Sequence, residues 1–122
     1  MDWEIKIDQG DQYVGVSTTG IADTENSLKM ARAIFLECQR LKITRVLIDH
    51  KNLEDVVGSM PDIYTRPKEF HNIGVPVIMR IAVVIRKEHC EHFKFLELVL
   101  KNQGFNYALF YKKDLALNWL LD

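Results

Sequence analysis

The densest group of metal-binding residue types in this chain is His89-Cys90-Glu91-His92. Two histidines three apart on a helix lie close enough to share a metal. A zinc site needs further Cys or His ligands at matching spacing, and the sequence has no second pair. The group therefore reads as the first turn of a helix, with Cys90 on the buried side and His89, Glu91 and His92 in solvent. No metal or other cofactor is expected. Asp49-His50 sets an acid beside a histidine, as a base and its orienting carboxylate are set. The only hydroxyl in the loop that follows is Ser59, and it has neither a nucleophile elbow nor a glycine-rich oxyanion loop around it. Neighbouring residues on a strand also point to opposite faces. Asp49 thus reads as a strand end whose carboxylate bonds loop amides. Glu54 and Asp55 are adjacent carboxylates without the groove that hydrolytic acids need. They read as solvated charge able to attract a basic partner. Gly58-Ser59 precedes a helix start at Pro61-Asp62, where an anion could sit, but the glycines and lysine of a phosphate loop are missing. Tyr64, Phe70 and His71 could line an apolar pocket beside this loop; packing of one helix face explains them more simply. No nucleophile, base and oxyanion site can be assembled, so a non-enzyme is expected.

The elements that must hold these residues follow from hydropathy period. Trp3 to Ile7 and Tyr13 to Ser17 alternate apolar and polar around the turn cluster Gln9-Gly10-Asp11, which predicts a β-hairpin whose second strand stops at Gly20. Asp23 or Thr24 caps an amphipathic helix with Leu28, Ala31, Phe35 and Cys38 on its apolar side, widened by Ile34 and Leu41. Arg45-Val46-Leu47-Ile48-Asp49 is a buried parallel strand. From His50 to Met60 no period is evident, which predicts a loop. Ile63, Tyr64, Phe70 and Ile73 could share a helical face, with Pro67 either kinking that helix or starting a new one. Gly74 ends it. Arg80 to Ile85 is a central strand, Lys87 to Gln103 a long helix stopped by Gly104, Asn106 to Phe110 the last strand. Asp114 opens a final helix with Leu115, Ala116, Trp119 and Leu120 on one side. After the hairpin, strand and helix alternate. The expected class is α/β: a mostly parallel sheet of four to five strands with an antiparallel N-terminal strand at its edge. In such sheets ligands and partners bind beyond the carboxyl ends of the strands, which points to the loop after Asp49.

Composition sets the outer limits. The 122 residues suit one domain, 1–122, with a net charge of -1 that advertises no nucleic-acid face. The longest apolar run, Ile81 to Ile85, is too short to span a membrane. The acidic start Met1-Asp2-Trp3-Glu4 has no signal-peptide core, so a cytoplasmic protein with two reduced thiols, Cys38 and Cys90, is expected.

The ordered set of motifs resembles the SpoIIAA-like (STAS-related) family, whose parent members are anti-sigma-factor antagonists. The resemblance rests on the hairpin and Gly20, on Arg45 to Asp49, on Arg80-Ile81-Ala82-Val83-Val84, on Gly104-Phe105, on Ala108-Leu109-Phe110, and on Leu115 to Leu120. It implies a superhelix of strand-helix turns and a regulatory, non-enzymatic interaction module. In the family, a strand-end Asp precedes an Asp-Ser-Ser/Thr-Gly motif whose first serine is phosphorylated. Asp49 matches the strand-end Asp. Val57 stands where the motif has Asp, Gly58 where it has the modified serine, and Ser59 at the second hydroxyl. Val57 and Gly58 depart from the motif, leaving Ser59 as a displaced candidate. Two functions are expected. One is protein docking through Asp49, His50, Glu54, Asp55, Gly58, Ser59 and Tyr64. The other is binding of a small apolar molecule or lipid in a pocket lined by Val56, Val57, Met60, Ile63, Tyr64 and Phe70. Self-association as a homodimer through the hairpin edge is a further expectation.

Overall fold

A computed structural model of the chain describes residues 1–7, 10 and 12–122. Its elements in chain order are β1 (Asp2–Ile7), β2 (Val14–Ala22), α1 (Thr24–Leu41), β3 (Arg45–Asp49), β4 (Leu53–Val56), α2 (Met60–Tyr64), α3 (Arg66–Ile73), β5 (Arg80–Val84), α4 (Cys90–Asn102), β6 (Asn106–Phe110) and α5 (Lys113–Leu121). The strands lie in the order β1-β2-β3-β5-β6, and β4 also pairs with β2. Among the described strands only β1 runs antiparallel, pairing Ile5 with Val16. The β2–β3, β3–β5 and β5–β6 ladders are parallel. The mostly parallel sheet with an antiparallel edge is what alternation and period predict. The turn expected at Gln9-Gly10-Asp11 falls largely on residues outside those described.

Helices α1 to α4 supply the larger core, on one face of the sheet, through Met30, Ile34, Ile63, Phe70, Phe93 and Leu96. Helix α5 covers the other face, where Ala116 and Leu120 pack on Leu47, Ala82 and Val84. Burial on both faces explains the nearly continuous apolar run of β5. Asp23 caps α1, its carboxylate accepting the Asn26 backbone N–H at 2.8 Å. That bond holds the Asp23 carboxyl below its ordinary range. The buried line of α1 is Met30, Ile34 and Cys38, while Leu28, Ala31 and Phe35 are half-buried. Burial pushes the Cys38 thiol up to about 11, which keeps it unreactive. Arg80 ties down the end of α5. Its guanidinium donates to the Trp119 and Asp122 carbonyls and lies 4.5 Å from the Trp119 ring centroid.

Four expectations are corrected, and the alternative left open at Pro67 is decided: α2 ends at Tyr64, and α3 starts with Pro67 in its first turn. This break separates Tyr64, which is exposed, from the buried Ile63 and Phe70. The helix expected from Lys87 starts instead at Cys90, behind a tight turn at Lys87–His89, and buries Phe93, Leu96, Val99 and Leu100. That turn buries His89 and leaves Cys90 half-buried. On α5, Leu115 is exposed while Ala116 and Leu120 are buried.

The fourth correction concerns the segment from His50 to Met60. It holds a strand. β2 runs unbroken from Val14 to Ala22, but its parallel partner comes in two pieces. β3 pairs Val14 to Ser17 with Val46 to Asp49. The chain then steps out, and β4 returns to pair Gly20 with Leu53 and Ile21 with Asp55. Glu54 is the extra residue of a bulge, and it destroys the two-residue period that would have marked the strand. Leu53 is fully buried.

Thr18 sits in the gap between the two pieces and is buried. Its Oγ1 lies 3.2 Å from the Asp49 carbonyl oxygen and 2.7 Å from His50 Nδ1. One hydroxyl has one hydrogen. Both contacts are satisfied when Nδ1–H donates to Oγ1 and the hydroxyl donates to the carbonyl. The His50 backbone is held too, donating to Val84 at 2.8 Å and accepting from the Leu53 N–H at 3.1 Å. The imidazole stacks on Phe93 with centroids 5.1 Å apart. Burial, with smaller contributions from His92 and His89, pushes its pKa down to about 3.

Three stability outcomes follow from this geometry. Leu53→Ala should cost about 2–5 kcal/mol in urea unfolding, as for a core leucine rather than a loop residue. Thr18→Val, which leaves a buried carbonyl and ring N–H unpaired, should cost about 1–3 kcal/mol. The pH dependence comes from His50. Between its unfolded pKa of about 6.5 and its folded value of about 3, the unfolded chain binds a proton that the folded chain refuses. Stability is therefore full above the unfolded pKa and falls as pH drops, by up to about 1.4 kcal/mol per pH unit from this residue. His92 is shifted in the same direction by burial and adds to the slope. Unfolding curves of His50→Gln from pH 7.5 to 5 should show a shallower slope than wild type, by about one proton.

Candidate functional site

At the carboxyl ends of β3, β4 and β5 the chain builds two distinct features: an outward surface on β4, α2 and α4, and an internal cavity beneath it. The sequence-predicted site residues divide between them.

Asp49 belongs to neither. Its side chain accepts the Lys51 N–H at 3.0 Å, as a strand-ending carboxylate should. It borders a groove with Lys6, Ser17 and Lys113 on the sheet face opposite the cavity. His50, next in sequence, lines the cavity. Extended-strand geometry has sent the two to opposite sides, so they form no acid–base pair.

The outward surface gathers Asp55, Gly58, Met60 and Ile63 with Glu88, Glu91, His92 and Phe95 around a shallow depression. Met60 is 66% and Val57 47% exposed. Tyr64, 69% exposed, contacts the Phe95 ring edge-on at 5.9 Å. Glu54 and Asp55 are exposed on β4. Ser59 is the N-cap of α2: its hydroxyl accepts the Asp62 N–H at 3.3 Å, and the Asp62 carboxylate accepts the Ser59 N–H at 3.3 Å. This reciprocal box satisfies two otherwise orphaned donors. A phosphate on Ser59 would place nearly two negative charges beside Asp62 at the start of α2.

The cavity has a volume of about 70 Å³ and lies between α1, α3, α4 and the sheet. Of the expected pocket residues, Val56, Val57 and Phe70 line it. Met60 and Ile63 belong to the outer depression, and Tyr64 borders another groove with Lys68 and His71. Most of the cavity wall is apolar, with Met30, Ile34, Phe35 and Met79 prominent. Its polar side chains include His50, Arg66, His92 and Tyr107. Burial lowers the pKa of His92 and Arg66 and raises that of Tyr107, so the phenol keeps its proton and His92 stays neutral at pH 7. Neutral imidazoles and a phenol beside one guanidinium make a hydrogen-bonding corner with a single positive charge.

Arg66 and Tyr107 are the residues that sequence reading missed. A weak signal existed for each. Arg66 lies four residues before the core residue Phe70, on the same stripe of α3. Tyr107 takes the inward position of β6 next to Ala108. Neither pattern tells an inward-turned polar tip from an ordinary amphipathic residue. Among the described residues, no three His, Cys, Asp or Glu side chains are placed to hold a metal ion. Among them too, no helix is long and apolar enough to cross a membrane.

No protein-family model and no curated protein sequence matches the chain. Solved structures do. An uncharacterised protein of the DUF3478 family with a SpoIIAA-like fold, from Shewanella loihica PV-4, superposes with a TM-score of 0.58 at 22% identity, covering 98% of this chain and 92% of that one. An anti-sigma factor antagonist from Mycobacterium paratuberculosis gives 0.63 at 18% identity, covering 99% and 96%. The anti-sigma factor antagonist SpoIIAA in its unphosphorylated form gives 0.54 at 12% identity, covering 97% and 96%. Likeness at such identities is one of fold, and the fold of this chain is SpoIIAA-like.

Proposed function

We propose that this protein is a non-enzymatic regulatory module that docks a partner protein through the surface following β4. The observation that carries the reading is the exposed apolar strip of Val57, Met60 and Tyr64, rimmed by Glu54, Asp55, Glu88 and Glu91. Three exposed large side chains within one short segment, 57–64, are costly to leave in water, and aromatic and methionine side chains are enriched where proteins meet. The carboxylate rim selects a partner with a basic border around an apolar patch. Two of the structural neighbours are anti-sigma factor antagonists, which supports a protein partner. With Gly58 at the family's serine position and Ser59 engaged as a helix cap, docking here is read as independent of a phosphate at that position.

Affinity capture from the source organism, quantified by mass spectrometry, tests the reading. A Glu54→Lys/Asp55→Lys variant and a Met60→Ser/Tyr64→Ser variant should each lose captured partners by about tenfold or more, while His71→Ala on α3 keeps them. Retention of every wild-type partner by both loop variants would sink the idea.

A second reading rests on a separate observation, the cavity. Its largely apolar wall with a few polar side chains suits a small molecule. A thermal-shift panel of small apolar and amphipathic compounds should raise the wild-type Tm with at least one member; a panel without any response removes this reading.

A further inference from the structure

Arg66 is the only lysine or arginine buried among the described residues, at 7% exposure. Among those residues its Nε has no hydrogen-bond partner, and no carboxylate lies within ion-pair distance of its guanidinium. The carboxylates that attract it, Asp62 and Glu69, act at longer range. A guanidinium keeps its charge at any physiological pH, and burying it without a counter-charge is unfavourable. Arg66 nevertheless lines the cavity, together with the buried Tyr107 and His50 and the half-buried His92. A fixed positive charge, a protonated phenol and neutral imidazoles lining one cavity make a site for one negative charge. The remaining wall asks for something else, because Met30, Ile34, Phe35 and Met79 offer only apolar contact. The volume of about 70 Å³ limits the guest to a few heavy atoms. Asp23 also lines the cavity, with Ser27 and the exposed Val57, and its negative charge disfavours a doubly charged anion.

We propose that the cavity binds a short aliphatic monocarboxylate, its carboxylate paired with the Arg66 guanidinium and hydrogen-bonded by the Tyr107 hydroxyl, its chain of about two to four carbons against the apolar wall. This rests on the second reading above, that the cavity takes a small molecule, and names its class. Arg66 matches a planar carboxylate with parallel N–H donors, which a lysine could not reproduce. A neutral guest of the same shape would leave the guanidinium unpaired. Inorganic phosphate would bring a second charge that nothing in the corner neutralises.

Titration with sodium butyrate, against sodium chloride at equal ionic strength and against 1-butanol as the uncharged analogue, tests the assignment. The readout is the Cε1–H NMR resonances of His50 and His92, which line the cavity. Butyrate should saturate and bind wild type at least about tenfold tighter than butanol. Arg66→Met should lose butyrate by at least about tenfold while binding butanol as wild type does, and Arg66→Lys should recover only part of the loss. If Arg66→Met does not fold by circular dichroism, Tyr107→Phe serves instead, with weakened butyrate and unchanged butanol binding. Equal butyrate affinity in wild type and the folded variant overturns the proposal, as does affinity that keeps rising through octanoate. Butanol binding without butyrate binding removes the carboxylate but leaves the cavity a small-molecule site. Binding of neither by wild type removes both.

Discussion

The structure turns on a fault in its own sheet. β2 offers nine residues of continuous edge, and its parallel neighbour covers that edge in two pieces with a detour between them. A ladder broken in a buried place leaves backbone groups without partners, and each such group is expensive. The Thr18 hydroxyl and the His50 ring close the break. The hydroxyl accepts from one side and donates to the Asp49 carbonyl on the other, at 2.7 and 3.2 Å. Because His50 is used as a neutral donor and stacked on Phe93, it is committed to the interior. The detour turns one chain segment into two features. Its inner side lines a cavity, and its outer side carries β4 and α2 into solvent.

The two features obey opposite electrostatic rules. Outside, carboxylates are solvated and screened, so their effect is to select and steer a partner. Inside, desolvation decides. It keeps His50 and His92 neutral and the Tyr107 phenol protonated, and it leaves Arg66 as the one group that cannot shed its charge within physiological pH. An uncompensated guanidinium next to apolar wall is a poor solution for a core and a good one for a receptor of a small anion.

Much of the architecture was legible in hydropathy period. The hairpin, α1, β3, β5, α4 and β6 announced themselves because each has one buried and one wet face, or two buried faces, over a long enough stretch. The Asp23 cap and the stop at Gly74 are local chemistry, and local chemistry is written in order along the chain. β4 was not legible, since four residues with a bulge at Glu54 cannot display a period of two. The division between α2 and α3 was half legible: Pro67 allowed a kink or a start, and only the path of the chain around Thr65 chose the start. At the candidate site, Asp49 was read correctly as a strand end bonding a loop amide. His89 was read as solvated in the first turn of a helix and is buried in the tight turn before α4.

By itself, then, the sequence determined the fold class, the hairpin, the alternation of strands and helices, and the departure of Val57 and Gly58 from a serine switch. These depend on residue type and near-neighbour spacing, which the chain carries in one dimension. The tertiary structure alone decided that Asp49 and His50 part company, that Ser59 is spent on a helix cap, and that Arg66 from α3 meets Tyr107 from β6 across a cavity. Those residues stand 41 positions apart, as their numbers show. Their meeting depends on strand order and helix docking, which set burial, and burial is what turns an ordinary arginine into a charge in need of a partner.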